Sequence, residues 1–144
     1  MKRIAIFGSG GMGREAACTL QRINRAANEE VWQFVGFYDD GLPQGSNNEM
    51  GKVLGGSAQL NAVTEPLAVV LAFGSPQVMR RVRQAITNPN IYFPNIIDPT
   101  VELWHRSRWA RETYSCRIVW CRAMYASAVS TSLMAMQVFV TMFR

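Results

Sequence analysis

Apolar and polar positions alternate between two periods along the first hundred residues. Residues 2–7 (KRIAIF) end in a short apolar run of the kind that makes a buried parallel strand, and Gly8-Ser9-Gly10-Gly11-Met12-Gly13 follows at once. From Gly11 onward Ala16, Ala17, Leu20, Ile23 and Ala27 recur at helical spacing, while Arg14, Arg22 and Arg25 fall elsewhere. Residues 31–38 (VWQFVGFY) read as a second strand ending on Asp39 and Asp40, and the following GLPQGSNNEMG reads as loop. A crossover helix between two such strands is a βαβ unit, which gives right-handed, parallel pairing.

The pattern then repeats. LAVVLAF (67–73) is the most strand-like segment, and Gly74-Ser75-Pro76 opens a helix, with Ser75 suited to the N-cap and Pro76 to the first helical position. Val78, Val82, Ala85 and Ile86 form its expected buried stripe and Arg80, Arg81 and Arg83 its wet face. Residues 91–97 (IYFPNII) add a fourth strand, placed at an edge by Pro94. The fold expected is α/β, a small doubly wound (Rossmann-like) parallel sheet of about four strands with an atypical C-terminal tail.

The tail is compositionally different. All eleven glycines precede residue 75, whereas three of the four tryptophans and two of the three cysteines lie in 102–144. The formal charge of +5 also belongs there: residues 1–101 carry nine basic against eight acidic side chains, residues 102–144 six against two. No basic face is spread over a binding fold, so nucleic acid is not an expected partner. The 21 residues from Ala123 to Phe143 carry no charge, about the length of a bilayer span. Gln137 and the cluster Ser127, Ser130, Thr131 and Ser132 dilute that run, which favours an appended or oligomer-buried segment over a membrane anchor. Only four apolar residues follow the basic pair at the start, too few for a signal peptide, so a cytoplasmic location is expected. Cys18, Cys116 and Cys121 form neither a disulfide framework nor, with the lone His105, a metal site.

The candidate chemistry lies at the glycine hexapeptide, a G-x-G-x-x-G between a strand and a helix. Gly8 allows the tight turn, Gly10 lets the backbone approach a diphosphate, and Gly13 lets the helix pack on the strand, with the helix amides facing the anion. Arg14 is either a further phosphate contact or a solvated arginine. Asp39, 26 residues after Gly13, stands where a doubly wound domain places the carboxylate that bonds a ribose hydroxyl; Asp40 is the alternative ligand. Gly74 and Ser75 end the third strand at the same edge. The candidate binding residues are thus Gly8, Ser9, Gly10, Gly11, Gly13, Asp39, Asp40, Gly74 and Ser75. No catalytic residue is assigned, since His105 has neither a nucleophile nor a carboxylate pattern around it.

IAIFGSGGMGRE (4–15), VGFYDDG (35–41), GKVLGG (51–56), VVLAFGSP (69–76) and FPNIIDPTVEL (93–103) together resemble the PglD/NeuD family of sugar O- and N-acyltransferases, in family order over roughly residues 1–103. The resemblance implies an N-terminal domain that holds a nucleotide-sugar acceptor, followed by a left-handed β-helix that binds acetyl-CoA, assembles as a trimer and supplies a catalytic histidine. It makes the listed glycines, Asp39, Asp40, Gly74 and Ser75 acceptor-binding residues for acyl transfer in surface-polysaccharide or glycan biosynthesis. Asp98 stands where the family usually has a histidine, and the glycine-free 104–144 lacks the hexapeptide period of a β-helix. The expectation is therefore a 1–103 binding domain and a 104–144 segment that is a truncated or frameshifted remnant of the acetyltransferase domain. On this reading acetyl-CoA serves the whole family member and is not bound by this chain. The alternatives are an NAD(P)-binding domain of an oxidoreductase and a non-catalytic, membrane-associated binding module.

Overall fold

The computed structural model describes residues 1–100 and the strand Ile118–Val119. Its elements run β1 (Lys2–Phe7), α1 (Gly11–Ala27), β2 (Trp32–Tyr38), β3 (Asn47–Asn48), β4 (Gly51–Gly55), α2 (Ser57–Asn61), β5 (Leu67–Leu71), α3 (Pro76–Ala85), β6 (Ile91–Tyr92), β7 (Ile96–Ile97) and β8 (Ile118–Val119). Six strands form one sheet in the order β3-β4-β2-β1-β5-β6, and β7 pairs with β8 in parallel as a separate ribbon. Within the sheet only the β3–β4 hairpin is antiparallel.

Residue alternation along β1 explains the layering. Ile4 and Ile6 face α1 in a core with Ala16, Ala17, Leu20, Phe37, Val53, Ala68 and Val70. Ala5 and Phe7 face the opposite side, with Leu60 of α2, Val82 of α3, Val69 and Leu71. The last four positions of β1 and all five of β5 are apolar and buried on both faces, which is what crossover helices on both sides of a parallel sheet require. β1 lies at the centre, with β2 and β4 on one side and β5 and β6 on the other, so the chain reverses direction between β1 and β5.

Four local expectations change. The supposed loop 41–51 holds β3 and the start of β4, because Asn47 and Lys52 pair across a tight hairpin. Residues 91–97 make two short strands in two different sheets, β6 beside β5 and β7 beside β8, with Phe93-Pro94-Asn95 between them; Pro94 offers no N–H to continue a ladder. Helix α2, unmarked by periodicity, is a single short stretch that buries Leu60. Ala85, expected in a buried stripe, is exposed at the end of its helix, as is Ala27 at the end of α1, and Arg83 is not simply solvated but stacks 4.3 Å over the Phe93 ring.

Among the described residues no helix is long and apolar enough to cross a membrane. The uncharged run 123–143, His105, the arginine-rich stretch around it, Cys116 and Cys121 lie outside the described residues, as do nearly all of the segment 104–144.

Candidate functional site

The carboxyl ends of four strands, β1, β2, β4 and β5, are tied into one edge. Gly8 N–H donates to the Tyr38 carbonyl at 2.7 Å, Asp39 N–H to the Gly55 carbonyl at 2.8 Å, and Ala72 N–H to the Phe7 carbonyl at 2.8 Å. These bonds carry the ladder one residue past β1, β2 and β5 and place the glycine turn where the strand order reverses. In an open α/β sheet that is the crevice in which ligands bind.

The glycines divide into two kinds. Gly8 has φ +102°, and a side chain there would lie 2.7 Å from the Ala72 carbonyl oxygen. At Gly13 a methyl group would collide with the Gly8 carbonyl oxygen, so α1 rests directly on the turn. Gly10 and Gly11 differ: both are exposed, and a side chain at either would meet nothing within 4 Å. α1 begins on Gly10 without a side-chain cap and without an acid in its first turn, which leaves its first amides with no partner from a capping side chain. The turn thus presents bare backbone donors and the positive end of a 17-residue helix to open space.

A family model described as the PglD N-terminal domain matches residues 3–86, from β1 through α3 and across this whole edge. The chain belongs to that family. No curated protein sequence matches it. Two solved structures share the fold of this PglD-type domain. One is the acetyltransferase domain of PglB from Neisseria gonorrhoeae FA1090 in complex with acetyl coenzyme A, 22% identical with a TM-score of 0.51, covering 68% of this chain and 44% of that one. The other is the acetyltransferase domain of PglB from the same organism, 24% identical with a TM-score of 0.52, covering 69% and 45%. The PglD-type chain spans less than half the length of these structures.

Asp39 is engaged on both oxygens. Its Oδ2 accepts from the Ser9 amide at 2.9 Å and the Ser9 hydroxyl at 2.7 Å, and its Oδ1 accepts from the Gly41 amide at 2.9 Å. Burial pushes this carboxyl upward, but the bonds from Ser9 and Gly41 outweigh it and hold the group below the usual aspartate range. Asp40 turns toward α2, its Oδ1 accepting from the Ser57 amide at 2.6 Å and hydroxyl at 2.9 Å. Asp40 Oδ2 has no hydrogen-bond partner among the described residues.

Gly74 joins the glycine turn through Met12, whose Sδ approaches to 3.4 Å of where a Gly74 side chain would begin. Ser75 occupies the N-cap of α3 as the sequence indicates, but its hydroxyl makes no capping bond; the backbone, through Met79 N–H to the Ser75 carbonyl at 3.0 Å, starts the helix. Arg14 pairs with Glu49 at 2.9 Å across the β3–β4 connection. Asn48 is the site residue that sequence reading missed: its Nδ2 donates to the Ser9 carbonyl at 3.0 Å while its Oδ1 accepts from the Met50 and Gly51 amides at 2.9 and 3.0 Å. Two adjacent asparagines in a polar stretch signal a turn and give no hint of a partner 39 residues away.

Proposed function

We propose that this domain binds a nucleoside-diphosphate sugar, the acceptor for an acetyl group, at the carboxyl edge of its sheet. The observation that carries the reading is the bare glycine turn at the strand-order reversal, open at Gly10 and Gly11 and backed by the uncapped start of α1. The diphosphate lies against the amides of Gly10, Gly11 and Met12. Gly8 and Gly13 shape the turn, and Gly74 with Ser75, whose hydroxyl has no hydrogen-bond partner among the described residues, borders the opposite side.

Of the two acids, Asp40 keeps a carboxylate oxygen to accept a ribose hydroxyl, so the ribose contact falls to Asp40 in preference to Asp39. Membership of the PglD N-terminal domain family, and a similar fold in an acetyltransferase domain that holds acetyl coenzyme A, support acetylation of the bound sugar. Such acceptors belong to cytoplasmic steps of surface-polysaccharide or glycan biosynthesis. The one histidine, His105, lies outside the described residues.

Calorimetric titration of UDP, UDP-sugars, CMP-sialic acid and NAD into the full chain tests the reading. A UDP-sugar is expected to bind, and Gly10→Val to abolish binding with the circular dichroism spectrum unchanged. Preferential binding of NAD would replace the acceptor reading with a nicotinamide-cofactor domain, and unaltered affinity in Gly10→Val would remove the glycine turn from the site.

A further inference from the structure

Ser9 carries the only side chain between Gly8 and Met12, in a turn whose other residues are glycines with maximal backbone freedom. A side chain at Gly10 or Gly11 would meet nothing within 4 Å, and among the described residues Gly10 is tied only through its carbonyl, which accepts from the Arg14 amide at 3.0 Å as α1 begins. Gly8 is fixed by its amide bond to the Tyr38 carbonyl and by Gly13 packed on it, and the side chain that holds the stretch between Gly8 and α1 is Ser9, which is bonded at every polar atom. Its amide and hydroxyl donate to Asp39 Oδ2 at 2.9 and 2.7 Å, and its carbonyl accepts from Asn48 Nδ2 at 3.0 Å. The residue is 7% exposed. Both holders are themselves anchored, Asp39 by the Gly41 amide at 2.9 Å and Asn48 by the Met50 and Gly51 amides. The bond from Asp39 to Gly41 is a local turn contact, but those to Ser9 reach back 30 residues from the tip of β2 to the tip of β1.

We infer that Asp39 is a positioning residue and not a ligand: together with Asn48 it clamps Ser9 from two sides and so sets the glycine turn in the open shape that receives the diphosphate. The Ser9 amide is turned to Asp39 and away from the anion, leaving Gly10, Gly11 and Met12 as the donors. The clamp rests on the proposed role of the glycine turn, and it joins three separate elements, the ends of β1 and β2 and the β3–β4 hairpin, into one preorganised rim.

The test uses the full chain with Asp39→Ala, Asp39→Asn and Asn48→Ala. Binding of UDP and of 2′,3′-dideoxy-UDP is measured by calorimetry, and amide hydrogen exchange is followed at residues 9–12 and in β5. A clamp predicts that Asp39→Ala weakens both nucleotides by the same factor, about tenfold. Asp39→Asn, which keeps an acceptor oxygen, recovers part of the loss, and Asn48→Ala loses affinity for both nucleotides alike. Exchange at Ser9 accelerates in Asp39→Ala while the β5 amides keep their protection. A loss seen with UDP but not with the dideoxy nucleotide makes Asp39 a ribose ligand and overturns the inference. Unchanged affinity for both nucleotides, or loss of β5 protection, overturns it as well. If the unmodified chain binds neither nucleotide, the acceptor reading fails, and the clamp is then decided by Ser9 exchange alone: unchanged exchange in Asp39→Ala and Asn48→Ala sinks it.

Discussion

At the scale of single residues, identical glycines carry opposite burdens. A methyl group at Gly13 has nowhere to go but into the Gly8 carbonyl, so Gly13→Ala should cost about 1–3 kcal/mol in denaturant unfolding, the range for overpacking. Gly10→Val, with open space around it, should stay within about 1 kcal/mol of the unmodified chain. Equal losses would mean that the turn is not built as described. Charge gives a second residue-scale expectation. Asp39 and Asp98 are both held below the usual carboxylate range: for each, burial raises the carboxyl, and hydrogen bonds, from Ser9 and Gly41 in one case and from Thr100 and Arg22 in the other, lower it further than that. A carboxyl depressed by folding contributes stability above its unfolded value of about 3.9, and that contribution is lost as pH falls through the lower folded value. Stability should therefore drop on acidification below about pH 4, and the drop should be shallower in Asp98→Asn; an unchanged slope would show that Asp98 does not titrate with unfolding.

Elements are joined here by polar side chains as much as by the core. Asp98 is fully buried, with Oδ2 accepting from Arg22 Nε of α1 at 2.6 Å and Oδ1 from the Thr100 amide and hydroxyl. Arg22 also donates to the Thr19 hydroxyl at 3.0 Å. Arg22→Ala strands that carboxylate and should cost about 2–3 kcal/mol in chemical denaturation; a change under 0.5 kcal/mol would mean that solvent replaces the arginine. On the other face of the sheet, Asn88 Nδ2 donates to the carbonyls of Leu60, Asn61 and Val63 at 3.3, 3.1 and 2.7 Å, and Asn61 Oδ1 accepts from Thr87 N–H at 3.0 Å. This lattice ties the end of α2 to the end of α3. Asn61→Ala and Asn88→Ala should each destabilise by about 1–3 kcal/mol, and the double variant by less than the sum, since the two share bonds. Strict additivity would show that the two asparagines act separately. These links explain why α2 was illegible from periodicity: it is too short for a helical pattern, and its position is set by partners about 25 residues away.

For the molecule as a whole, the described fold is a three-layer unit complete in its two cores by residue 97, apart from the β7–β8 pairing. A 1–103 fragment should accordingly unfold in one cooperative transition and bind UDP as the full chain does; an unfolded fragment would assign the later residues to the same folding unit. The sequence by itself determined the doubly wound arrangement of β1, α1, β2, β5 and α3. Those elements announce themselves locally, through apolar runs buried on both faces, helical spacing at Ala16, Ala17 and Leu20, and glycines where the backbone must turn or touch. It also marked Gly8 as the turn glycine, Gly13 as the glycine on which helix and strand pack, and the strand edge that Asp39, Asp40 and Gly74 follow. What only the tertiary structure decided is the partnership of side chains whose sequence separation hides them from each other. Asp39 reads as an open acid at a strand end, yet the neighbouring strand brings Ser9 to it and occupies its Oδ2; Asn48 reads as loop, yet the hairpin carries it back to the same serine. A periodic pattern records which face of an element is buried, because burial acts on each residue alone. A hydrogen bond between residues 30 or 39 apart records nothing locally, because it exists only once the strands have been laid side by side.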